Sequence, residues 1–299
     1  MSYLLHEALK DLATILGNTY RGSFSAVNGA AGSSASSFSS IGDADLATLS
    51  FGAGYWKAGT LFMPPFTTGG TTYYYSSVVG SGSETGSQIP LSTALTPATP
   101  YPDNTRFMVL SGAFPRYAMI NAINDALREY GRIVKVTTTP VVISQESYTC
   151  TAYPDVRKVE VSSGSAVPYE YKANYNWRII ESATRQIEFD PGYFPDGSNM
   201  LVRITYLDEH DEVVADMNEI SAQIVPERLK WTAAEHICNW RYQKVGKNDP
   251  GIVDLLNRCA QKAAEMRMRY PIYRPDRITL LRSGRGTTST LDDVNKVRL

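Results

Sequence analysis

The sequence is poor in the residues that most often carry out chemistry. Its 299 residues include only 3 histidines and 3 cysteines. Cys150, Cys238 and Cys259 are too far apart to form a CxxC motif or a zinc-type Cys/His motif. An odd number of scattered cysteines argues against a disulfide framework, so we expect reduced, structural thiols in a chain that folds in a cytosol.

Enzyme motifs are also missing. The sequence has no GxSxG, HExxH or kinase pattern, and residues 80–86 lack the Lys-Ser/Thr pair of a phosphate loop. His236 and Cys238 are two residues apart on a predicted helix and therefore point in diverging directions. The acidic run 208–212 lacks the ligand spacing of an EF-hand loop. We therefore expect no enzymatic activity, no metal site and no cofactor.

Long apolar runs and an excess of one charge sign are absent too. No stretch approaches the roughly 20 apolar residues of a membrane span, and the first residues lack the basic region of a signal peptide. We expect no membrane partner. The net charge of -1 argues against a protein that coats nucleic acid.

Four segments have the apolar spacing of helices. The first has leucines at positions 5, 9, 12 and 16 and ends at Gly17. The second follows Pro115 and ends at Gly131. The third starts at Pro226 and stops at Gly246, and the fourth starts with Asp249 as N-cap and ends near Tyr270. The short link between the last two predicts an antiparallel helical hairpin.

Two β-rich regions separate these helices. In the first, the predicted strands are 46–51, 59–63, 71–79 and 106–110, after a Gly/Ala/Ser-rich loop at 28–40. In the second, they are 156–161, 177–181, 186–189 and 200–206, which predicts a small antiparallel sheet or sandwich. Residues 219–223 are interpreted as a short helical lead-in to the third helix.

Tyrosine is abundant, with 19 residues. The period of a strand places Tyr73 and Tyr75 on one face, and Tyr169 and Tyr171 on another. One face of each cluster is explained by core packing. The other face calls for a neighbouring segment, a subunit or a ligand.

The charge distribution singles out the C-terminal region. Residues 241–299 hold 13 Lys and Arg against 6 Asp and Glu, a net +7, which leaves residues 1–240 at -8. Beyond Pro271 the chain mixes arginines with leucines and shows little periodicity. A solvated tail is one interpretation. We favour an arm that becomes ordered on a partner, because a purely solvated tail rarely keeps a run such as 278–281 (ITLL).

The order of these segments, together with two sequence stretches, resembles a known family. Residues 114–128 read FPRYAMINAINDALR, and the third helix begins with VPERL at 225–229 and continues with AAE at 233–235. In these stretches the chain is similar to the head-to-tail connector (adaptor or neck) proteins of tailed bacteriophages. The resemblance covers most of the chain and is loose over residues 19–111.

The resemblance implies a structural virion protein made in the bacterial host cytoplasm and located in the neck between capsid and tail. It implies a homo-oligomeric ring, usually of twelve subunits, that contacts the portal protein on one side and a downstream neck or tail protein on the other. Genomic DNA would pass non-specifically through its lumen during ejection. It also implies that the C-terminal arm docks into the portal.

From these observations we predict an α+β fold: a helical bundle core of about four helices, two inserted β-rich modules and an extended C-terminal arm. The predicted parts are an N-terminal bundle helix (1–18), a Ser/Gly/Tyr-rich β insertion (19–113), a bundle helix (114–131), a β-rich domain (132–217), a helical hairpin (218–270) and the arm (271–299).

The predicted portal-docking residues share one property, a position at or beyond the end of the last helix. They are Tyr270, Tyr273, Arg274, Arg277, Leu280, Leu281, Arg282 and Leu299. The alternative hypothesis is a tail-fibre or baseplate-type module whose tyrosine-rich β-regions bind a receptor or a glycan.

Overall fold

The computed structural model describes most of the chain. The described residues are 3–17, 19–23, 26–27, 38–42, 56–68, 70–80, 88–95, 105–142, 144–162, 170–181, 184–193, 195, 197, 200–246 and 249–272.

The described elements are, in chain order, β1 (Tyr3–Leu4), α1 (Leu5–Leu16), β2 (Thr19–Ser23), β3 (Ala26–Val27), β4 (Phe38–Gly42), β5 (Thr60–Phe62), β6 (Phe66–Thr68), β7 (Thr71–Tyr73), β8 (Ser76–Val78), β9 (Gln88–Leu95), β10 (Arg106–Leu110), α2 (Arg116–Tyr130), β11 (Arg132–Pro140), β12 (Ser147–Thr149), β13 (Asp155–Ser162), β14 (Tyr171–Asn174), β15 (Trp177–Ile180), β16 (Gln186–Phe189), β17 (Leu201–Glu209), β18 (Glu219–Ile220), α3 (Pro226–Val245) and α4 (Pro250–Arg269).

The chain divides into two compact units. Unit 1 comprises Met1–Glu129 and Asp211–Pro271, and unit 2 comprises Tyr130–His210 and Ile272–Leu299. Unit 1 therefore contains α1, the first β-rich region and the helical hairpin, whereas the described part of unit 2 is almost entirely β-structure.

The largest sheet of unit 1 has the strand order β2-β10-β5-β8, and all its pairings are antiparallel. Strand β5 is buried at every position, and β10 is buried at every position after Arg106. A strand that is covered on both faces has a continuous apolar sequence, because the side chains on neither face contact water. These two strands therefore form part of the core of unit 1.

Smaller sheets complete the β-structure of unit 1. Strands β3, β4 and β9 form a three-stranded sheet, β6 pairs with β7, and β1 pairs with β18. The β1–β18 pair joins residues more than 200 positions apart in the sequence, because Tyr3 is opposite Ile220. The N-terminus of unit 1 is thereby fixed beside the segment that leads into α3.

Helix α1 follows its predicted pattern. Leu5, Leu9, Leu12 and Leu16 are all buried, and the helix stops at Gly17, whose φ of 71° suits glycine. The first turn is capped by Glu7, whose side chain accepts a hydrogen bond from the Leu4 amide over 3.0 Å.

The predicted helical hairpin is confirmed. Helix α3 ends at Gly246, which has a φ of 68°. Helix α4 begins after Asp249, whose side chain accepts a hydrogen bond from the Ile252 amide over 3.3 Å. An aspartate in this N-cap position satisfies an amide that the helix itself leaves unpaired.

The predicted helical bundle core is wrong. More of the described residues lie in strands than in helices, and Leu61, Val109 and Leu110 on the central strands are fully buried. The helices of unit 1 share their core with a sheet. A strand as short as β5 is too brief to show a hydrophobic period in the sequence. The sequence therefore does not distinguish a strand of an inserted module from a strand of the core.

Unit 2 is a small sandwich, one of the two arrangements, antiparallel sheet or sandwich, that the sequence predicted for this region. One sheet has the order β11-β17-β13-β14 and the other the order β12-β16-β15. Side chains from both sheets form a single core that includes Val159 and Ile204 from the first sheet and Ile187 and Phe189 from the second. Alternating burial along β17 is the pattern of a strand with one face in this core.

Other local predictions were wrong or lie outside the described residues. Residues 219–223 contain β18 and a turn in which the Ile224 amide donates to the Ser221 carbonyl, so they are not a helix. Residues 38–40 of the predicted loop are part of strand β4. The predicted strand 46–51 lies outside the described residues, as do positions 28–37 and 81–86 of the predicted loops.

Candidate functional site

The structure describes only the first of the predicted docking residues. Tyr270 immediately follows α4. The other predicted docking residues lie outside the described part of the chain: Tyr273, Arg274, Arg277, Leu280, Leu281, Arg282 and Leu299. The described part of the candidate site is therefore the point at which the predicted arm leaves unit 1. We call it the arm exit and define it by Glu129, Arg228, Glu235, Arg267 and Tyr270.

The end of α4 is defined by its backbone. Tyr270 has a φ of -124° and a ψ of 74°, and its amide donates to the Met266 carbonyl. The helix stops there because Pro271 has no amide hydrogen to continue the hydrogen-bond ladder. The guanidinium carbon of Arg269 lies 5.4 Å from the centroid of the Tyr270 ring, within the range of a cation–π contact.

A buried arginine holds the carbonyl of Tyr270. Arg228 lies in the first turn of α3 and is only 4% exposed. Its Nη1 donates a hydrogen bond to the Tyr270 carbonyl oxygen over 2.7 Å. Its Nη2 lies 3.6 Å from Oε1 of Glu129. A buried guanidinium is tolerated only where hydrogen bonds and an opposite charge replace its water, and these two contacts contribute to that replacement.

Glu129 links three helices. This residue of α2 accepts hydrogen bonds from Nε and Nη2 of Arg267 on α4, over 2.8 and 3.0 Å. Such bidentate pairs are stronger and more directional than single contacts. Arg267 also lies 2.8 Å from Oε2 of Glu235 on α3. The hydrogen bonds from Arg267 lower the pKa of Glu129, and those to Glu129 raise the pKa of Arg267.

The side chains of His236 and Cys238 contact different parts of the fold. Nε2 of His236 lies 3.7 Å from Oε2 of Glu129, whereas the sulfur of Cys238 faces Cys259. The two side chains thus point to different neighbours, as helix geometry predicts. Among the described residues, no group of three or more His, Cys, Asp or Glu side chains is arranged to hold a metal ion.

The acidic run 208–212 is engaged in ion pairs. Nζ of Lys135 lies 3.0 Å from Oδ2 of Asp208 in unit 2. In unit 1, Arg128 forms an ion pair with Glu212. Asp208 and Glu212 therefore each neutralise a neighbouring cation within their own unit.

The tyrosine clusters are partly used within the fold. The rings of Tyr73 and Tyr75 stack with centroids 6.4 Å apart, and Tyr171 packs against the guanidinium of Arg203 at 3.9 Å. Tyr175 and Tyr193 in unit 2 remain substantially exposed. Tyr169 lies outside the described residues.

A cavity of about 460 Å³ lies near the opposite end of α4 from the arm exit. Its walls combine the apolar side chains of Phe114 and Ile252 with the charged side chains of Arg241, Asp249 and Arg258. Two arginines and two aspartates contribute to its lining, so it has no single charge sign that selects a ligand.

Sequence reasoning missed the residues that build the arm exit. The sequence patterns include Arg228 only as part of the VPERL stretch and assign no role to Glu129 or Arg267. A usable signal was present, because Arg228 directly precedes Leu229 at the start of the apolar stripe of α3. No pattern in the sequence indicated which carbonyl that arginine binds.

No protein-family model matches the chain, and no curated protein is significantly similar to it. Among the described residues, none of the helices combines the length and the apolar character needed to cross a membrane.

Proposed function

We propose that this protein is a structural virion protein that joins the capsid portal of a tailed bacteriophage to its tail. The observation that carries this proposal is the contact between Arg228 and the Tyr270 carbonyl. It fixes the residue that precedes a basic, leucine-containing segment. An arm that combines arginines with leucines and starts from a fixed residue suits a protein that attaches to a partner.

The proposed attachment works through the arm. Residues 271–299 carry arginines at 274, 277, 282, 285 and 298, together with leucines at 280, 281, 291 and 299. The arginines would pair with acidic groups of the portal, and the leucines would fill apolar pockets. An arm that becomes ordered on docking loses conformational entropy at that step, so each single contact is modest.

A ring would offset this weakness. Repetition of the same arm, twelve times in the proposed assembly, converts modest contacts into firm attachment through avidity. The net charge of -1 also suits a ring whose lumen passes genomic DNA, because a ring of unpaired lysines would bind phosphates and slow the DNA. The opposite face would receive the downstream neck or tail protein.

Truncation of the arm tests the proposal. A chain ending at Pro271 keeps α4 and the arm exit, so its circular dichroism and thermal unfolding should match those of the full chain. It should fail to co-sediment with purified portal rings. A second, full-length variant replaces Arg274, Arg277 and Arg282 with Gln. It should bind portal rings more weakly than the unaltered chain, and its binding should depend less on salt. Normal attachment of the truncated chain would overturn the proposal.

The second candidate is a tail-fibre or baseplate-type module that binds a receptor or glycan. The observation that favours it is the exposure of Tyr175 and Tyr193, at 43% and 59%. Exposed aromatic rings are suited to stack on apolar faces of a ligand. Native mass separates the two candidates, because a trimer favours the fibre and a dodecamer the connector. If the protein is a fibre or baseplate module, replacement of both tyrosines by Ala should abolish glycan binding. If it is a connector, this replacement should have no such effect.

A further inference from the structure

Two buried thiols face each other across the helical hairpin. Cys238 lies on α3 and Cys259 on α4, and both are fully buried. Their sulfur atoms are 3.9 Å apart, with the Cys238 thiol donating towards Cys259. Both are free cysteines. The third cysteine, Cys150, belongs to unit 2 and is also buried.

The sequence around the pair favours a close approach of the helices. Ala234 lies one helical turn before Cys238, and Ala263 lies one turn after Cys259, and all four side chains are fully buried. Small side chains at i and i+4 allow two packed helices to approach at the short end of the usual interaxial range. A disulfide needs a sulfur–sulfur distance of about 2 Å. The sulfurs must therefore approach by roughly another 2 Å before a disulfide forms.

We propose that Cys238 and Cys259 are an oxidisable dithiol, which a disulfide oxidant such as oxidised glutathione converts into a disulfide that locks α3 to α4. The site is independent of the proposed connector function, because it lies within the helical hairpin and uses no residue of the arm.

The reaction proceeds as two thiol–disulfide exchanges. The Cys259 thiolate attacks one sulfur of oxidised glutathione, breaks its S–S bond and releases one glutathione thiolate. Cys238, after losing its proton, attacks the Cys259 sulfur of the mixed disulfide and releases the second glutathione thiolate. The two cysteines lose two electrons and two protons, and the oxidant gains them as two molecules of glutathione.

The order of attack follows from the hydrogen bond between the thiols. Because the Cys238 thiol donates to Cys259, this hydrogen bond lowers the pKa of Cys259 and raises that of Cys238. The thiolate is the reactive form, so Cys259 reacts first. Both thiols are buried, so the first exchange requires a local opening of the hairpin. The second exchange is intramolecular and therefore fast.

Thiol counting tests the proposal on the full chain. The protein is incubated with oxidised glutathione or with diamide, quenched in acid, unfolded and alkylated. The reduced protein should take up three alkyl groups. The oxidised protein should take up one, on Cys150, and lose about 2 Da before alkylation. Peptide mapping should find Cys238 joined to Cys259 within one chain.

Two variants provide matched controls. Cys150→Ala should still close the disulfide, whereas Cys238→Ala should leave Cys259 free or glutathionylated. Oxidation should raise the Tm of the wild-type protein and of Cys150→Ala by about 5 to 10 °C, and a reductant should reverse the shift. Cys238→Ala should show no such shift.

Three results would overturn the proposal. The first is retention of three alkylatable thiols under conditions that oxidise the urea-unfolded chain. The second is a disulfide between two chains or one that includes Cys150. The third is closure of the Cys238–Cys259 bond without a rise in Tm, which would show that the bond does not lock the hairpin.

Discussion

The side chain of Arg228 and the carbonyl oxygen of Tyr270 are joined by a 2.7 Å hydrogen bond that connects the start of α3 to the end of α4. The two residues are 42 positions apart in the sequence. The bond provides a partner both for a buried cation and for a carbonyl that α4 leaves unpaired at its end. The C-terminal end of the hairpin is therefore fixed at the point where the arm begins.

Replacement of Arg228 by Met keeps the side-chain bulk and removes the charge. It leaves the Tyr270 carbonyl without this donor and removes one cation from the side of Glu129. Loss of one partner of a buried charged contact costs about 3 kcal/mol, so we expect the free energy of unfolding to fall by that amount. Urea unfolding measures it, and hydrogen exchange should show faster opening of the last turn of α4.

Lys230→Met is the matched control for this change. Lys230 lies on the same helix and pairs with Glu227 over 2.6 Å, but that pair is partly exposed. An exposed pair of this kind contributes less than about 1 kcal/mol. Equal effects of the two substitutions would contradict a special role for Arg228.

Asn124 and Asn121 should differ strongly in the effect of substitution by Ala on stability. Asn124 is buried and binds the backbone of Val213 twice: its Nδ2 donates to the carbonyl over 3.0 Å, and its Oδ1 accepts from the amide over 2.9 Å. Its removal leaves two buried backbone groups unpaired, so we expect a loss of about 3 kcal/mol. Asn121 is exposed on the same helix, and Ala has the higher helix propensity, so stability should change by less than about 1 kcal/mol. Chemical denaturation of both variants checks the contrast.

Residues 58 and 59 should also give effects of opposite sign. A Cβ atom on Gly59 would lie 2.0 Å from the Leu110 carbonyl oxygen, so Gly59→Ala must push β5 and β10 apart and should cost about 3 kcal/mol. Ala58 has a φ of 61°, a conformation that glycine adopts without strain, so Ala58→Gly should stabilise the protein by about 0.5 kcal/mol. Thermal unfolding of the two variants measures both signs. A stability loss in Ala58→Gly as large as that in Gly59→Ala would contradict the backbone geometry at this turn.

His6 predicts a pH dependence of stability. It is 1% exposed, and its ring lies against those of Phe62 and Tyr74, with centroids 5.8 and 5.4 Å away. Burial lowers the pKa of His6, and the negative charge of Asp216 opposes this only in part. Lys10 and Arg116 add positive charges that lower the pKa further.

The direction of the pH effect follows from this lowered pKa. Below the ordinary histidine pKa of about 6.5, the unfolded chain binds a proton that the folded chain does not. Stability contributed by neutral His6 is thus complete above pH 6.5 and is lost as the pH falls through the folded pKa. The slope should reach at most about 1.4 kcal/mol per pH unit.

Substitution of His6 isolates this contribution. His6→Gln should flatten the pH dependence of the free energy of unfolding between pH 6.5 and 5, as measured by urea titrations. An unaltered slope in His6→Gln would show that another group titrates in this range.

Local patterns in the sequence determined much of the secondary structure. The leucine spacing of α1, the cap at Asp249 and the stops at Gly17 and Gly246 each depend on residues within a few positions of one another. The same is true of the strands of unit 2, where alternation and turn residues predicted a small antiparallel sheet or sandwich. Such signals are readable because they arise from backbone geometry within one or two turns.

Only the tertiary structure decided how these elements combine. The apolar strands β5 and β10 became part of the core of unit 1, which overturned the helical bundle. Asn124 proved to be a buried backbone partner although its sequence context resembles that of Asn121. Arg228 binds the Tyr270 carbonyl, and Cys238 contacts Cys259. Each of these outcomes depends on distances between residues far apart in the chain, which are fixed by packing and which no local pattern encodes.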